Sequence, residues 1–394
     1  MPWREQSTMS RKQEFVVLAQ QEGVNFAELC RRYGISRPTG YALVRRYREQ
    51  GAAGLAERSR RPHTMPTRTA PAMEAAVLAV RDAHPSWGGR KLKRRLEDLA
   101  EVAVPAASTC TAILRRHDRL DPAAAAQHTA WQRFEHPAPN DLWQLDFKGH
   151  RPLTQGRCHP LSAFDDHSRF ALGLVACADE QDATVRTALT ALFRRYGLPA
   201  RILTDNGPPW GNPHPTQRLT AFSFWLIRLG IDVLHGRPFH PQTQGKVERF
   251  HRTLMAELLR TTPLVDLGQA QRCFDRWRDS YNLERPHHAL DLATPAARYA
   301  PSPRPFPDPL PPLEYGPDDA VRTVHGGGQI AFRGRDWFVT QALRGEPVAV
   351  RPTATDGVFA VVYCHYHLAT LDLHAHTIRP THRPDGAEEE RAQV

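Results

Sequence analysis

Between residues 142 and 234 the chain carries three β-forming segments in succession and then alternates helix with strand. Strands are predicted near 142–149, 158–166 and 169–177. A helix near 182–196, a strand near 200–204, a helix near 217–229 and a strand near 231–234 follow. A meander leading into such alternation indicates a mixed sheet with helices on both faces, one domain of a multidomain α/β chain. Few other arrangements bury both faces of those strands.

Three acidic residues stand at sensitive points of this pattern. Asp146 lies near the end of the apolar run Leu142 to Phe147, a probable central strand, and Asp205 opens the Asp205-Asn206-Gly207 turn that ends the run 200–204. Glu248 falls on a helix read from about Pro241, in which Val247, Phe250, Leu254 and Leu258 repeat at helical spacing. A carboxylate at the end of an apolar strand is costly unless something neutralises it. Each acid alone is an ordinary turn or helix residue. Together they suit Mg²⁺ or Mn²⁺, which prefer hard oxygen ligands completed by water and phosphate. Two such ions can clamp the attacking and leaving oxygens of a phosphoryl displacement.

With these segments in hand, the chain resembles the DDE-type integrase-core transposases of insertion sequences, relatives of the retroviral integrases. The resemblance is carried by the contexts of the three acids, above all His240 to His251. Phe-Asp-Asp-His-Ser-Arg (164–169), Tyr281 to Leu290 and Thr294-Pro295 add to it. It covers residues 10 to 300 and extends more weakly beyond. It implies an RNase H-like core in which Asp146, Asp205 and Glu248 are catalytic and hold two Mg²⁺ ions, with Mn²⁺ able to substitute and Asp146 shared between them. Lys148, Lys246 and Arg252 are then candidates for holding DNA, and Asn206 or Gln244 for orienting it. His251 could help position a nucleophile, but on a helix edge it reads more readily as structural. The stretch 208–213 makes the Asp205–Glu248 interval longer than in compact relatives; it either borders the DNA or is a tolerated surface insertion, the second slightly favoured because connecting loops accept added residues.

Charge is unevenly spread. Residues 1–120 hold 22 Lys and Arg against 12 Asp and Glu, while residues 121–394 balance at 30 against 30. The net charge of +10 is therefore entirely N-terminal, which points to a polyanion and most simply to nucleic acid. Residues 1–53 have helix-turn-helix grammar: a capping box from Asn25, a turn at Gly34, and a third helix capped by Ser36 with Pro38 in its first turn. On that helix Gly40, Leu43, Val44 and Tyr47 should face inward, leaving Arg37, Thr39, Tyr41 and Arg45 to reach base edges in a major groove. A basic linker at 54–69, with Arg58, Arg60 and Arg61, could track phosphates. Helices near 71–83, 87–99 and 108–116 make a second helix-turn-helix-like module (70–120). Its middle helix concentrates Arg90, Lys91, Lys93, Arg94 and Arg95; Lys91 and Arg94 are the DNA contacts proposed there.

A connector (121–138) leads to the catalytic core (139–300), which closes with a helix near 266–283 whose Phe274, Trp277 and Tyr281 read as packing. Residues 301–312 contain seven prolines, so 301–315 is expected to be a stiff spacer. Residues 316–376 alternate β-rich runs with Gly turns, read as a small β-barrel, and 377–394 as a disordered tail. Six scattered cysteines fit neither a disulfide framework nor a CxxC zinc site, and a zinc site at Cys364 to His367 is disfavoured. With 41% hydrophobic residues, the chain has no run long enough for a membrane span and no signal-peptide core. A cytoplasmic protein, nucleoid-associated when bound to DNA, is expected.

The reading that follows is a transposase that binds transposon ends through its N-terminal modules. It cleaves the 3′ ends and transfers them to target DNA, assembled as a homo-oligomer on DNA. Two rivals are a DNA-binding regulator with an inactive integrase-like core and a nuclease for RNA/DNA hybrids. Three intact acids speak against the first and two sequence-reading modules against the second.

Overall fold

The computed structural model describes residues 7–57, 68–99, 103–120, 135–212, 219–236 and 245–381. The chain divides into two units, Met1–Arg68 and Thr69–Val394.

The first unit is the expected three-helix bundle, α1 (Thr8–Ala19), α2 (Phe26–Arg32) and α3 (Arg37–Gln50). The side chains of Ser7, Asn25 and Ser36 accept backbone N–H groups at the three N-termini, satisfying donors the helices cannot. Phe15, Val16, Leu29, Cys30, Leu43, Val44 and Leu55 form the core. Gly40 is required where α3 crosses its neighbours: a Cβ there would meet Cys30 Sγ at 2.8 Å and the Phe15 ring at 3.0 Å. One boundary moves. Gly51–Leu55 is a 3-10 turn that buries Leu55 completely, and Arg46 donates to the Ala56 carbonyl at 2.6 Å, so Gly54 and Leu55 belong to the bundle and not to a linker. Arg58, Arg60 and Arg61 lie outside the described residues.

The second unit opens with α4 (Pro71–Ala83), α5 (Gly89–Asp98) and α6 (Ala107–Arg116), packed about Val77, Trp87, Leu92, Leu96, Cys110 and Ile113. Trp87 precedes α5 instead of starting it.

The sheet that follows comprises β1 (Leu142–Phe147), β2 (Arg151–Pro152), β3 (Arg157–Asp165), β4 (Ala171–Cys177), β5 (Arg201–Thr204) and β6 (Asp232–His235). Its order is β2-β3-β1-β5-β6, with β4 beyond β3. β1 runs antiparallel to β3 and parallel to β5, so the expected mixed sheet places β1 centrally. On one face Trp143, Leu145, Leu161 and Leu172 pack against α7 (Asp182–Tyr196) and α8 (Ala221–Arg228). On the other, Phe164, Ala171 and Leu174 pack against α9 (Gly245–Leu254) and α10 (Leu267–Leu283), with Phe274, Trp277 and Tyr281 buried as packing. The predicted start of α9 near Pro241 lies outside the described residues.

α10 also protects β4. An edge strand exposes unpaired backbone groups that invite further pairing. Here the Asn282 side chain bonds the Ala171 N–H and carbonyl at 2.8 and 3.0 Å, and Gln271 accepts from the Ala176 N–H at 2.8 Å.

The proline-rich stretch is a strap, not a free spacer. Leu198 N–H donates to the Arg304 carbonyl at 2.7 Å. The Arg304 guanidinium reaches the carbonyls of Pro199, Leu229 and Gly230, and Phe306 and Leu310 pack on the sheet core. Proline suits this path because the strap is no strand of the sheet and the missing N–H breaks no ladder.

The C-terminal β domain has a five-stranded antiparallel sheet, β13 (Thr377–Pro380), β12 (Tyr366–Asp372), β11 (Val358–Tyr363), β10 (Pro347–Pro352) and β7 (Ala320–Thr323). A hairpin of β8 (Gln329–Phe332) and β9 (Arg335–Phe338) completes the core. Thr377 to Pro380 pair with β12, so these residues are strand and not tail; residues 382–394 lie outside the described residues. This domain shares its core with Phe224 and Ile227 of α8, whose Phe222, Trp225 and Leu226 face the other way. α8 is apolar all round because both its sides are covered.

Candidate active site

Asp146 stands on the central strand. The parallel register pairs Gln144 with Leu203, so two residues further on Asp146 comes level with Asp205, where β5 gives way to its turn. Burial pushes the Asp146 carboxyl up to about 7, and the charges of Asp205 and Glu248 push the same way against the Phe147 N–H and Lys148. Asp205 is also raised, by burial first; the Gly207 N–H, which donates to Oδ1 at 3.0 Å, and His235 oppose the shift. Glu248 is exposed on the first turn of α9, beside buried Val247 and Phe250.

Asp146 thus feels both other acids. The side chains do not close into one ligand set: among the described residues no group of three His, Cys, Asp or Glu is gathered that could hold a metal. The donor chemistry nevertheless fits a divalent cation. Three carboxylates supply hard oxygens, and a buried acid raised by like charges gains most from a positive partner.

Two buried residues complete the surroundings of Asp146. Ser162 pairs with it across β1 and β3, and its hydroxyl lies 2.8 Å from the Asp146 carbonyl oxygen and 2.7 Å from His251 Nε2. His251 Nδ1 faces Asp146 Oδ2 at 3.5 Å. Burial, then Lys148, holds His251 down at about 3, so the imidazole is neutral. Sequence reasoning weighed a nucleophile-positioning role for His251, favoured a structural one, and passed over Ser162. No local signal marks a cross-strand partner, although the spacing of three between Glu248 and His251 put them on neighbouring turns of one helix.

The described part of this stretch, 208–212, is not a loose surface insertion. Trp210 is 2% exposed, its ring centroid 5.7 Å from Phe147 and 5.3 Å from Phe222, and its carbonyl accepts from Ser223 Oγ at 3.1 Å. The loop thus carries an indole into the sheet core beneath the residue that follows Asp146.

The Phe-Asp-Asp-His-Ser-Arg segment is a latch. The Asp165 carboxylate accepts the N–H groups of Asn140 and Ser168 at 2.7 and 2.8 Å. Asp166, 1% exposed, accepts from Gln144 at 2.7 Å and from Lys246 at 2.6 Å to each oxygen. Lys246 was expected at DNA; it instead fastens α9 to the sheet, because a buried carboxylate needs a paired cation. Lys148 is half-buried beside Asp146, and Arg252 is exposed on α9. Asn206 donates to the Gly236 carbonyl at 2.7 Å, and Gln244 lies outside the described residues.

On α3 all four expected DNA contacts, Arg37, Thr39, Tyr41 and Arg45, are exposed. Thr39 Oγ1 also bonds Ser36 Oγ at 2.8 Å, and Tyr41 stacks on Phe26 at 4.2 Å. On α5 the expectation divides. Arg94 is exposed and paired with Asp98. Lys91 instead faces the core: burial, then Arg285, brings it down to about 7, with Glu257 opposing. Arg95 joins Glu284 at 2.9 Å, and Ser86 donates to Glu257 at 2.5 Å. The inward side of α5 is committed to α10 and the turn after α9.

Comparison with known proteins agrees with this architecture. Residues 11–63 match a helix-turn-helix domain and 39–114 a homeodomain-like domain; 136–241 and 229–295 match integrase core domains. The fold and these matches define an integrase-core protein of the polynucleotidyl transferase class. Residues 319–379 match the C-terminal domain of the IS481 family transposases. The Insertion element IS476 uncharacterized 39.2 kDa protein of Xanthomonas euvesicatoria is 26% identical over 283 residues, 70% of this chain and 78% of that protein. The putative transposase for insertion sequence element IS5376 of Geobacillus stearothermophilus is 23% identical over 224 residues, 54% of each. Among solved structures, the HTLV-2 integrase catalytic core domain in complex with magnesium is 18% identical, covering 42% of this chain and 99% of that one with a TM-score of 0.33. In these segments the chain is similar to the integrase-core transposases of insertion sequences.

Among the described residues, no helix is long and apolar enough to cross a membrane.

Proposed function

We propose that this chain cleaves the 3′ ends of its own insertion element and joins them to target DNA, with Asp146, Asp205 and Glu248 holding two Mg²⁺ ions that Mn²⁺ can replace. The observation that carries this is the β1–β5 register, which brings Asp146 level with Asp205 at the strand ends, with the charge of Glu248 near enough to push the Asp146 carboxyl up as well. Bound there, the ions would act as Lewis acids on the attacking and leaving oxygens. The remaining work belongs to the chain. Arg37 and Arg45, exposed on α3, would read a major groove at the element's ends, where Arg can grip guanine through two bonds. Arg252, exposed one turn beyond Glu248, and Lys148, beside Asp146, would hold phosphates next to the acids. Trp210 and the Lys246–Asp166 pair keep β1 and α9 rigid, since a site held to within a fraction of an ångström depends on packed supports. Joining two ends in one event calls for a homo-oligomer on DNA.

The test uses the element's own ends. Asp146→Asn, Asp205→Asn and Glu248→Gln should each abolish strand cleavage in Mg²⁺ while leaving end binding in a mobility-shift assay nearly intact. Loss of binding together with cleavage would make the acids structural and overturn the reading.

A further inference from the structure

Ser162, His251 and Asp146 form a closed triangle. The Ser162 hydroxyl lies within hydrogen-bond distance of the Asp146 carbonyl oxygen, at 2.8 Å, and of His251 Nε2, at 2.7 Å, while His251 Nδ1 faces the Asp146 carboxylate at 3.5 Å. All but the carboxylate is dry: Ser162 is fully buried and His251 is 4% exposed. His251 sits three residues after Glu248 on α9, so the same contact spans the two elements that carry two of the three acids.

We propose that His251 is a positioning residue for the Asp146 carboxylate, with Ser162 fixing the ring; this rests on the metal-holding role proposed for Asp146. The proton count sets the arrangement. The Ser162 hydroxyl has one proton and the Asp146 carbonyl can only accept, so Ser162 donates there and its oxygen accepts from His251 Nε2–H. Nδ1 is then the bare nitrogen that stands 3.5 Å from Oδ2. Its lone pair disfavours an anionic oxygen on the buried side, which turns the carboxylate toward a cation on the open side. The contact also fixes the distance between α9 and β1, and hence where Glu248 stands relative to Asp146. Partners of metal-holding groups are worth about 10–100-fold in metal affinity or activity when removed.

The experiment measures Mn²⁺ binding by the full chain through the electron paramagnetic resonance signal of free Mn²⁺, without DNA, alongside end cleavage as Mn²⁺ is raised. Thermal unfolding without metal checks that each variant is folded. His251→Ala should weaken Mn²⁺ binding about 10–100-fold and move the Mn²⁺ dependence of cleavage by the same factor. His251→Gln, whose amide can donate to Ser162 as Nε2–H does, should recover most of the loss. Ser162→Ala deletes a single oxygen and carries the test if His251→Ala does not fold. A purely structural histidine would lower the unfolding temperature without changing the affinity of the folded protein, so wild-type Mn²⁺ affinity in folded His251→Ala or Ser162→Ala overturns the proposal. Equal binding by wild type and Asp146→Asn would mark a different failure: Asp146 would hold no metal, and His251 would have nothing to position.

Discussion

Replacing Trp210 with alanine separates an insertion that merely tolerates its residues from one that supports the site. The indole is 2% exposed and lies between the rings of Phe147 and Phe222, so its removal takes away packing on both the sheet and α8. An aromatic side chain buries about 150–250 Å², and Trp→Ala in a core costs about 3–5 kcal/mol once the residual cavity is included. That is a large share of a domain stability of about 5–15 kcal/mol. For a domain of this size each kcal/mol moves the midpoint by about 2–4 °C, which gives a fall of about 6–20 °C. Scanning calorimetry of the full chain reads the shift, and hydrogen exchange in β1 and α8 peptides assigns it to the core. Trp210→Phe, which keeps a ring in the slot, should lose much less. Because Phe147 follows Asp146 directly, cleavage should fall in Trp210→Ala even at temperatures where it is folded. A shift below about 2 °C is what a surface substitution worth at most about 0.5 kcal/mol produces, and it would refute the supporting role.

Three further outcomes follow from buried charges. Lys246→Ala takes from the Asp166 carboxylate, 1% exposed, the cation that bonds both its oxygens and leaves it Arg169 at 3.9 Å, so it should cost up to about 3–5 kcal/mol in urea unfolding; Lys246→Arg should cost less, and equal stability of all three proteins would show that the pair holds nothing. Lys91→Met should leave stability equal or higher at pH 7, because an ammonium pushed down to about 7 gives up little when replaced by an apolar chain of similar length. If Lys91 instead touched phosphate, the same variant would lower the salt slope of end binding by about one. For Asp146 the folded pKa, about 7, lies above the ordinary 3.8, so the stability tied to this group is fully present below about pH 4 and is lost as pH rises through 7. Urea midpoints of metal-free protein at pH 4, 5.5 and 7 should therefore fall less steeply for Asp146→Asn than for wild type, and parallel profiles would exclude the shift.

What could be read in the sequence is what neighbouring residues decide. Helix α7 was predicted at 182–196 and is found at Asp182–Tyr196, since its periodic apolar residues and the Gly197 that stops it are local facts. The strand ends at Asp146 and Asp205 were equally legible, because an apolar run followed by an acid or by Asp-Asn-Gly needs no partner to be recognised. Docking is what escaped. The basic side of α5 was taken as free for DNA, yet Lys91 and Arg95 meet α10 and the turn after α9, more than 150 residues away; a charged helix face looks the same in sequence whether water or another element covers it. Lys246 misled for the same reason, its partner Asp166 lying 80 residues earlier. Ser162 reaches Asp146 only through the β1–β3 register, and His251 reaches it only when α9 docks on that sheet. The seven-proline strap shows how composition can mislead about packing: proline rules out a ladder but not contact, and Arg304 supplies side-chain bonds to three carbonyls in its place. The acids of this site could be found along the chain because chemistry requires them, whereas the groups that hold them in place are set by tertiary contacts.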